Sequence, residues 1–190
     1  DLLFQDLDCG PFCDAIEAVT YGYDSMDFSH LGILDTAKGQ WVVIEAISRG
    51  VVLTPVDSFL ERSVNHSGEP KVVVGRIKRN HRELIDPALD ILRSKTGKPY
   101  DDAFNIENDS FYCSELIHIA FKKANQENDF FQTEPMTFKR PDSEEYFSDW
   151  IDYFDRLDLP IPEGEPGLNP AGISRSPKIR IVHKFGGLEK

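Results

Sequence analysis

The first half of the chain is written in short apolar blocks of strand length, and the second half shifts to apolar residues at helical spacing. "DLLFQDL" opens with strand composition, and "DFSHLGIL" and "QWVVIEAI" are β-rich runs separated by "DTAKGQ", whose glycine and polar residues suit a hairpin turn. "GVVLTPV" and "KVVVGRI" read as further strands, with a helical turn or two in "VDSFLERS" after Pro55. A short helix is expected in "CDAIEAVTYG", ending before Gly22. "HRELIDPALDILRSKTG" repeats apolar residues at helical spacing and stops at Gly97, and Pro87 inside it demands a late start or a kink.

After the polar loop "KPYDDAFNIENDS" comes a second strong helix, with Cys113, Leu116, Ile117, Ala120, Phe121 and Ala124 on one face. Asn108, Asp109 and Ser110 are all good caps, which predicts a start near Phe111 and puts Cys113 in the first turn. Residues 127–170 are acidic, aromatic and proline-rich. Tyr146, Phe147, Trp150, Ile151 and Phe154 recur there at helical spacing and predict one amphipathic helix covering a side of the core. "SPKIRIVHKF" reads as a closing strand. Strands that are mostly neighbours in sequence favour an α+β fold with an antiparallel sheet packed against helices. The 190 residues are expected to form one domain, 1–190, with the segment at about 127–170 appended to it.

Composition narrows the function. No run of about 18 apolar residues exists, so no transmembrane segment is expected. A net charge of −12, with basic residues scattered, argues against nucleic acid as a partner. The chain begins at Asp1 rather than a methionine, compatible with a removed leader; a secreted, periplasmic or lipoprotein-anchored location is expected, with the cytoplasm left open. Cys9 and Cys13 are near neighbours at a spacing that differs from the thioredoxin type, and a structural clip or two unpaired thiols are both open to them.

Cys113 carries the chemistry. A thiol in the first turn of a helix meets free amide hydrogens and the positive end of the dipole, which favour thiolate. The competing reading is a small buried hydrophobe, since it shares the inward stripe. Of the five histidines, only His30 lies in the middle of a strong strand. A turn centred on Ala37 and Lys38 places His30 opposite Glu45, with Leu31 against Ile44 and Ile33 against Val42 forming one apolar face. A carboxylate beside an imidazole fixes its tautomer and favours the imidazolium that forms when a thiol gives up its proton. Gly32 leaves room beside the ring. No HExxH, HxH or CxxC pair is present, and His118 falls well round the helix from Cys113, so neither a metal site nor a cofactor is expected. Ser114 points off the inward face, and Asp101 and Asp102 read as solvated or capping.

In order, "DLLFQ", "FSHLGIL", "VVIEA", "GKPYDDAF" and "YCSELI" resemble the YiiX-like group of circularly permuted papain-fold cysteine hydrolases, relatives of the NlpC-type cell-wall peptidases. In the ordinary NlpC-type order the cysteine helix comes first; here it follows the histidine strand. The resemblance covers most of residues 1–125 and implies a permuted papain-like fold with Cys113 as nucleophile, His30 as base and Glu45 as the group that orients it. Tyr112 and Tyr100 are expected to line the substrate cleft. The resemblance implies a thiol hydrolase cleaving amide bonds of a small peptide or cell-wall fragment through an acyl-enzyme. The alternatives are a lipid acyl ester hydrolase or acyltransferase, and a non-catalytic ligand-binding module.

Overall fold

The computed structural model describes residues 1–106 and 108–186. Glu107, inside the expected polar loop, and 187–190 lie outside the described residues. The main sheet contains β1 (Leu2–Gln5), β2 (His30–Ala37), β3 (Gln40–Ile47), β4 (Gly50–Pro55), β5 (Val72–Ile77) and β8 (Ile179–Lys184). They run in the order β4-β3-β2-β1-β5-β8, and every neighbouring pair is antiparallel.

Alternation sorts the sheet into two faces. Leu2, Phe4, Leu31, Ile33, Ile44 and Val73 belong to the larger core, which they share with α3 (Ile85–Ser94) and α4 (Cys113–Ala124) through Leu89, Leu92, Leu116, Ile117 and Phe121. Leu3, Val43, Val72 and Val74 form a second layer with Phe59 of α2 (Val56–Glu61). Pro87 falls in the first turn of α3, where its missing amide hydrogen needs no partner, and a short 3₁₀ turn at Arg79–Leu84 precedes it. The late start thus replaces a kink.

Four local expectations are corrected. The hairpin turns at Lys38 and Gly39, both at positive φ (51° and 79°), because a two-residue turn of this kind needs that conformation at both positions and glycine adopts it most easily. The register becomes Ile33 opposite Ile44 and Ala37 opposite Gln40. Secondly, α4 starts at Cys113, two residues later than expected, because the Phe111 amide donates to Pro99 O at 3.0 Å and Tyr112 is still extended. The first helix, α1 (Pro11–Glu17), starts and stops earlier than the apolar run suggested, with Pro11 at the position where proline is best tolerated. Finally, in α5 (Ser148–Leu157) Trp150 and Phe154 are buried but Ile151 is 42% exposed and leaves the expected stripe.

The acidic, aromatic segment has structure beyond that helix. β6 (Glu134–Pro135) pairs with β7 (Pro166–Gly167), and α6 (Pro170–Ser174) follows, with Asn169 capping it through a 2.7 Å bond from Gly172 N. The faces of α1 and α5 meet through Phe12, which lies 4.6 Å from Trp150 between ring centres. A Cys9–Cys13 disulfide closes the chain just ahead of and into α1, which resolves the open choice for these thiols.

Beyond Ile33 the β2–β3 ladder ends, and His30, Leu31 and Gly32 stay paired with β1 alone. The β3 backbone then passes over Gly32: a Cβ built there would collide with Val43 Cγ1, lie 3.0 Å from the Ile44 carbonyl oxygen and 3.2 Å from Glu45 Cβ. Gly32 is therefore the point at which β3 folds across β2. Gly32→Ala is expected to destabilise the protein by about 1–3 kcal/mol through overpacking, measured as a lower urea midpoint with unchanged slope.

Candidate active site

The site forms where β2, β3, β4, α2 and α4 come together. Continuing the observed hairpin register strictly would put Ile47 opposite His30, but the crossing over Gly32 brings Glu45 to it instead. His30 donates Nε2–H to Glu45 Oε2 at 2.6 Å, and both side chains are buried. The expected partner is found by a different route from the one the pattern suggested.

Glu45 has no exposure to water, and its oxygens are saturated by protein donors. Thr54 Oγ1 donates to Oε1 at 2.5 Å, while Arg62 donates from Nη1 to Oε2 at 2.9 Å and from Nη2 to Oε1 at 2.5 Å. Burial alone would raise the carboxyl pKa; the hydrogen bonds from His30, Arg62 and Thr54, with the positive charge beside them, lower it to about 2. Glu45 is thus a fixed anion.

With Nε2 committed to Glu45, the His30 ring also interacts with Cys113, and the two groups act on each other's protonation. Burial pushes the thiol upward, and is outweighed by His30, by its charge, by the Leu31 backbone amide and by Ser114, so the Cys113 pKa falls below its ordinary value. The Leu31 amide faces the sulfur on the stretch of β2 that β3 has left. At His30 burial opposes the imidazolium, and the bonds and charges of Cys113 and Glu45 prevail, raising its pKa to about 9.

Cys113 is the first residue of α4, so its own backbone N–H belongs to the unpaired first turn and is free to stabilise negative charge. Glu115 accepts the Tyr112 amide at 3.1 Å and closes the start of the helix. Its carboxyl is pushed up to about 8 by burial, against the Tyr112 bond, with Asp101 and Cys113 adding to the rise, so at neutral pH it places no full negative charge beside the sulfur. Ser114 is buried, contrary to its expected outward position. Its hydroxyl donates to Leu168 O at 3.0 Å, while the Leu168 amide donates to Tyr112 Oη at 3.2 Å. The two residues flanking Cys113 thus strap the chain after β7 against the head of α4.

Cys113 is 7% exposed and lines a cleft of about 430 Å³. Tyr100 and Tyr112 line it too, and burial holds both phenols above their ordinary pKa, so they stay neutral. Most of the wall is apolar, with Phe12, Ile16, Phe104, Phe131, Met136 and Trp150 contributing. Several of these come from the 127–170 segment, which is therefore more than a cover on one side of the core. Asp101 caps its own loop, accepting Ala103 N at 3.0 Å and Asn105 N at 2.6 Å, and Asp102 accepts Tyr153 Oη at 3.0 Å.

Arg62, Thr54, Leu31 and Leu168 were not foreseen. A glutamate on an inward strand position does call for a cation, but Arg49, Arg62 and Arg76 are equal claimants until the chain is folded.

Residues 1–183 match the family model described as permuted papain-like amidase enzyme, YaeF/YiiX, C92 family. The uncharacterised protein YiiX of Escherichia coli K12 is 30% identical over 129 residues, which span 65% of this chain and 57% of that protein. The crystal structure of a protein described as metalloprotein YiiX, from Escherichia coli O157:H7, superposes with a TM-score of 0.73 at 23% identity, covering 96% of this chain and 94% of that one.

The paired shifts set a pH window. Thiolate persists to lower pH than an ordinary cysteine allows, and the imidazolium is lost as pH rises through about 9. Iodoacetamide labelling of Cys113 should therefore show one inflection below that of an ordinary cysteine and a second near pH 9. His30→Ala should leave a single inflection at higher pH.

Proposed function

The chain belongs to the family of permuted papain-like amidases, a family of cysteine peptidases and amidases, and from that premise we propose that Cys113, His30 and Glu45 are its catalytic triad. The observation that carries this reading is the buried 2.6 Å hydrogen bond from His30 to Glu45, with the Cys113 thiol interacting with the same ring. In the proposed mechanism the Cys113 thiolate attacks an amide carbonyl held in the cleft, and the oxyanion is met by the Cys113 backbone N–H. His30 then gives its proton to the leaving amine, takes one from water in the second half, and that water cleaves the thioester. Glu45 stays ionised throughout, holding the ring in one tautomer and stabilising the imidazolium.

The related Escherichia coli crystal structure is described as that of a metalloprotein. Among the described residues of this chain, no group of three or more His, Cys, Asp or Glu is placed to hold a metal ion, so the residues present do not fit one and no step runs through it.

For the substrate, the amidase family together with the resemblance to NlpC-type peptidases supports a small peptide or cell-wall fragment. A specific observation favours a second reading: the cleft beside Cys113 is walled mainly by aromatic and aliphatic side chains, which suits an amide whose acyl part is apolar. The Cys9–Cys13 disulfide supports a location in an oxidising compartment, as in secreted or periplasmic proteins.

Cys113→Ser should lower turnover by at least about 10³-fold on any amide the wild type cleaves, with the fold retained by circular dichroism. Full turnover in this variant would refute covalent catalysis. In a panel of N-acyl amides of rising acyl length, set against polar cell-wall peptides, kcat/KM should rise with acyl length; a preference for the polar peptides would reverse the second reading.

A further inference from the structure

Arg62 lies just past the end of α2, as its C-cap residue, and is not a member of the proposed triad. We propose that it is a positioning residue for the Cys113–His30 pair, clamping both oxygens of Glu45 and supplying the positive charge that neutralises the ionised site. The inference rests on the triad reading above.

Two observations carry it. The first is geometric. Glu45 has three rotatable bonds and could hydrogen-bond His30 in several poses, but Arg62 engages each of its oxygens separately, and Thr54 adds a further donor to one of them. That fork fixes the carboxylate plane, and so the direction from which Oε2 receives Nε2–H. Arg62 is itself held, with its guanidinium carbon 5.1 Å from the centre of the Phe59 ring, which in turn lies 6.0 Å from the His30 ring.

The second is charge. A thiolate, an imidazolium and a carboxylate together carry one net negative charge, in a site where Glu45 has no exposure and His30 and Cys113 very little. Such a charge is unfavourable to bury, and it is relieved by taking up a proton, which returns Cys113 to the inactive thiol. Arg62 brings the total to zero. Titratable groups near the sulfur include Tyr100, Tyr112 and Glu115, all raised by burial and protonated at neutral pH, and the buried Asp101 carboxyl, whose charge acts on all three. None of them replaces the missing positive charge, and all remain in an Arg62 variant.

Removing a cation raises both pKa values of the pair, since it disfavours loss of a proton from thiol and from imidazolium alike. A lost clamp without a charge effect would slow the reaction and leave both pKa values in place. Arg62 has 27% of its side chain exposed, so solvent screening holds the shift to about one pH unit rather than several.

The test is the pH dependence of iodoacetamide alkylation of Cys113 in wild type, Arg62→Gln and Arg62→Lys, read beside kcat/KM on any cleaved amide. In Arg62→Gln both inflections are expected to move up by about one pH unit. In Arg62→Lys they should return close to wild type, because the charge is restored, while kcat/KM stays reduced because an ammonium cannot fork onto both oxygens. Unmoved inflections in Arg62→Gln, with only a lower melting temperature, would overturn the proposal and leave the triad reading intact. A single ordinary thiol inflection in the wild type would instead remove the triad itself. If Arg62→Gln does not fold, Arg62→Lys decides: inflections in place with lowered kcat/KM support the proposal, and inflections shifted upward overturn it.

Discussion

A carboxylate sealed from water must find all its hydrogen bonds within the protein, and Glu45 imposes that condition on everything around it. Three strands, one helix end and one ring are arranged to satisfy it: His30 from β2, Thr54 from β4 and Arg62 from the end of α2 all converge on two oxygens of a β3 side chain. Losing one partner while Glu45 stays buried would leave an uncompensated charge, a more costly condition than an apolar core in the same place. The curl of the sheet serves this convergence. With no side chain at Gly32, β3 crosses β2 closely enough for Glu45 to reach the histidine, and the parted strand leaves the Leu31 amide facing the sulfur.

The helix side of the site obeys a different constraint. Cys113 has to belong to a packed helix and yet meet a cleft, and the structure reconciles these by position along one element. From Leu116 onward α4 is core, while its first residue lies where the sheet, the Tyr100 loop and the strap at Leu168 meet. The strap also explains why the aromatic segment matters to the site. Tyr112 and Ser114, on either side of the thiol, grip one residue of that segment by both its amide and its carbonyl. The cleft wall is thereby tied to the helix start.

Much of this was legible from the residues. Strand alternation gave the six main strands, and helical periodicity gave the body of α3, α4 and α5. Pro87 marked a late helix start, and Glu45 was identifiable as the partner of His30, although the crossing at Gly32 rather than the ladder register brings them together. The turn was misplaced by one residue because the apolar pattern alone does not distinguish Ala37–Lys38 from Lys38–Gly39; the need for two positive φ values does. The start of α4 was placed too early because three good capping residues precede it, while the tertiary bond from Phe111 to Pro99 holds the chain extended. Arg62 left no periodic signal, since its partner is 17 residues away and chosen by the packing of α2. Ser114 was misassigned because helical phase locates a face but says nothing of a strap that arrives 54 residues later.

The order of the elements has a consequence for the chain as it leaves the ribosome. Imidazole and carboxylate sit in a local hairpin that emerges first, and the thiol follows after the 83 residues that separate His30 from Cys113. At roughly 5–20 residues per second that is a delay of about 4–17 s. A nascent polypeptide thus carries the proton acceptor and its anchor before Cys113 is made. When the sulfur does appear, the strands and the helix end that bear its three supporting side chains, His30, Glu45 and Arg62, already precede it in the chain.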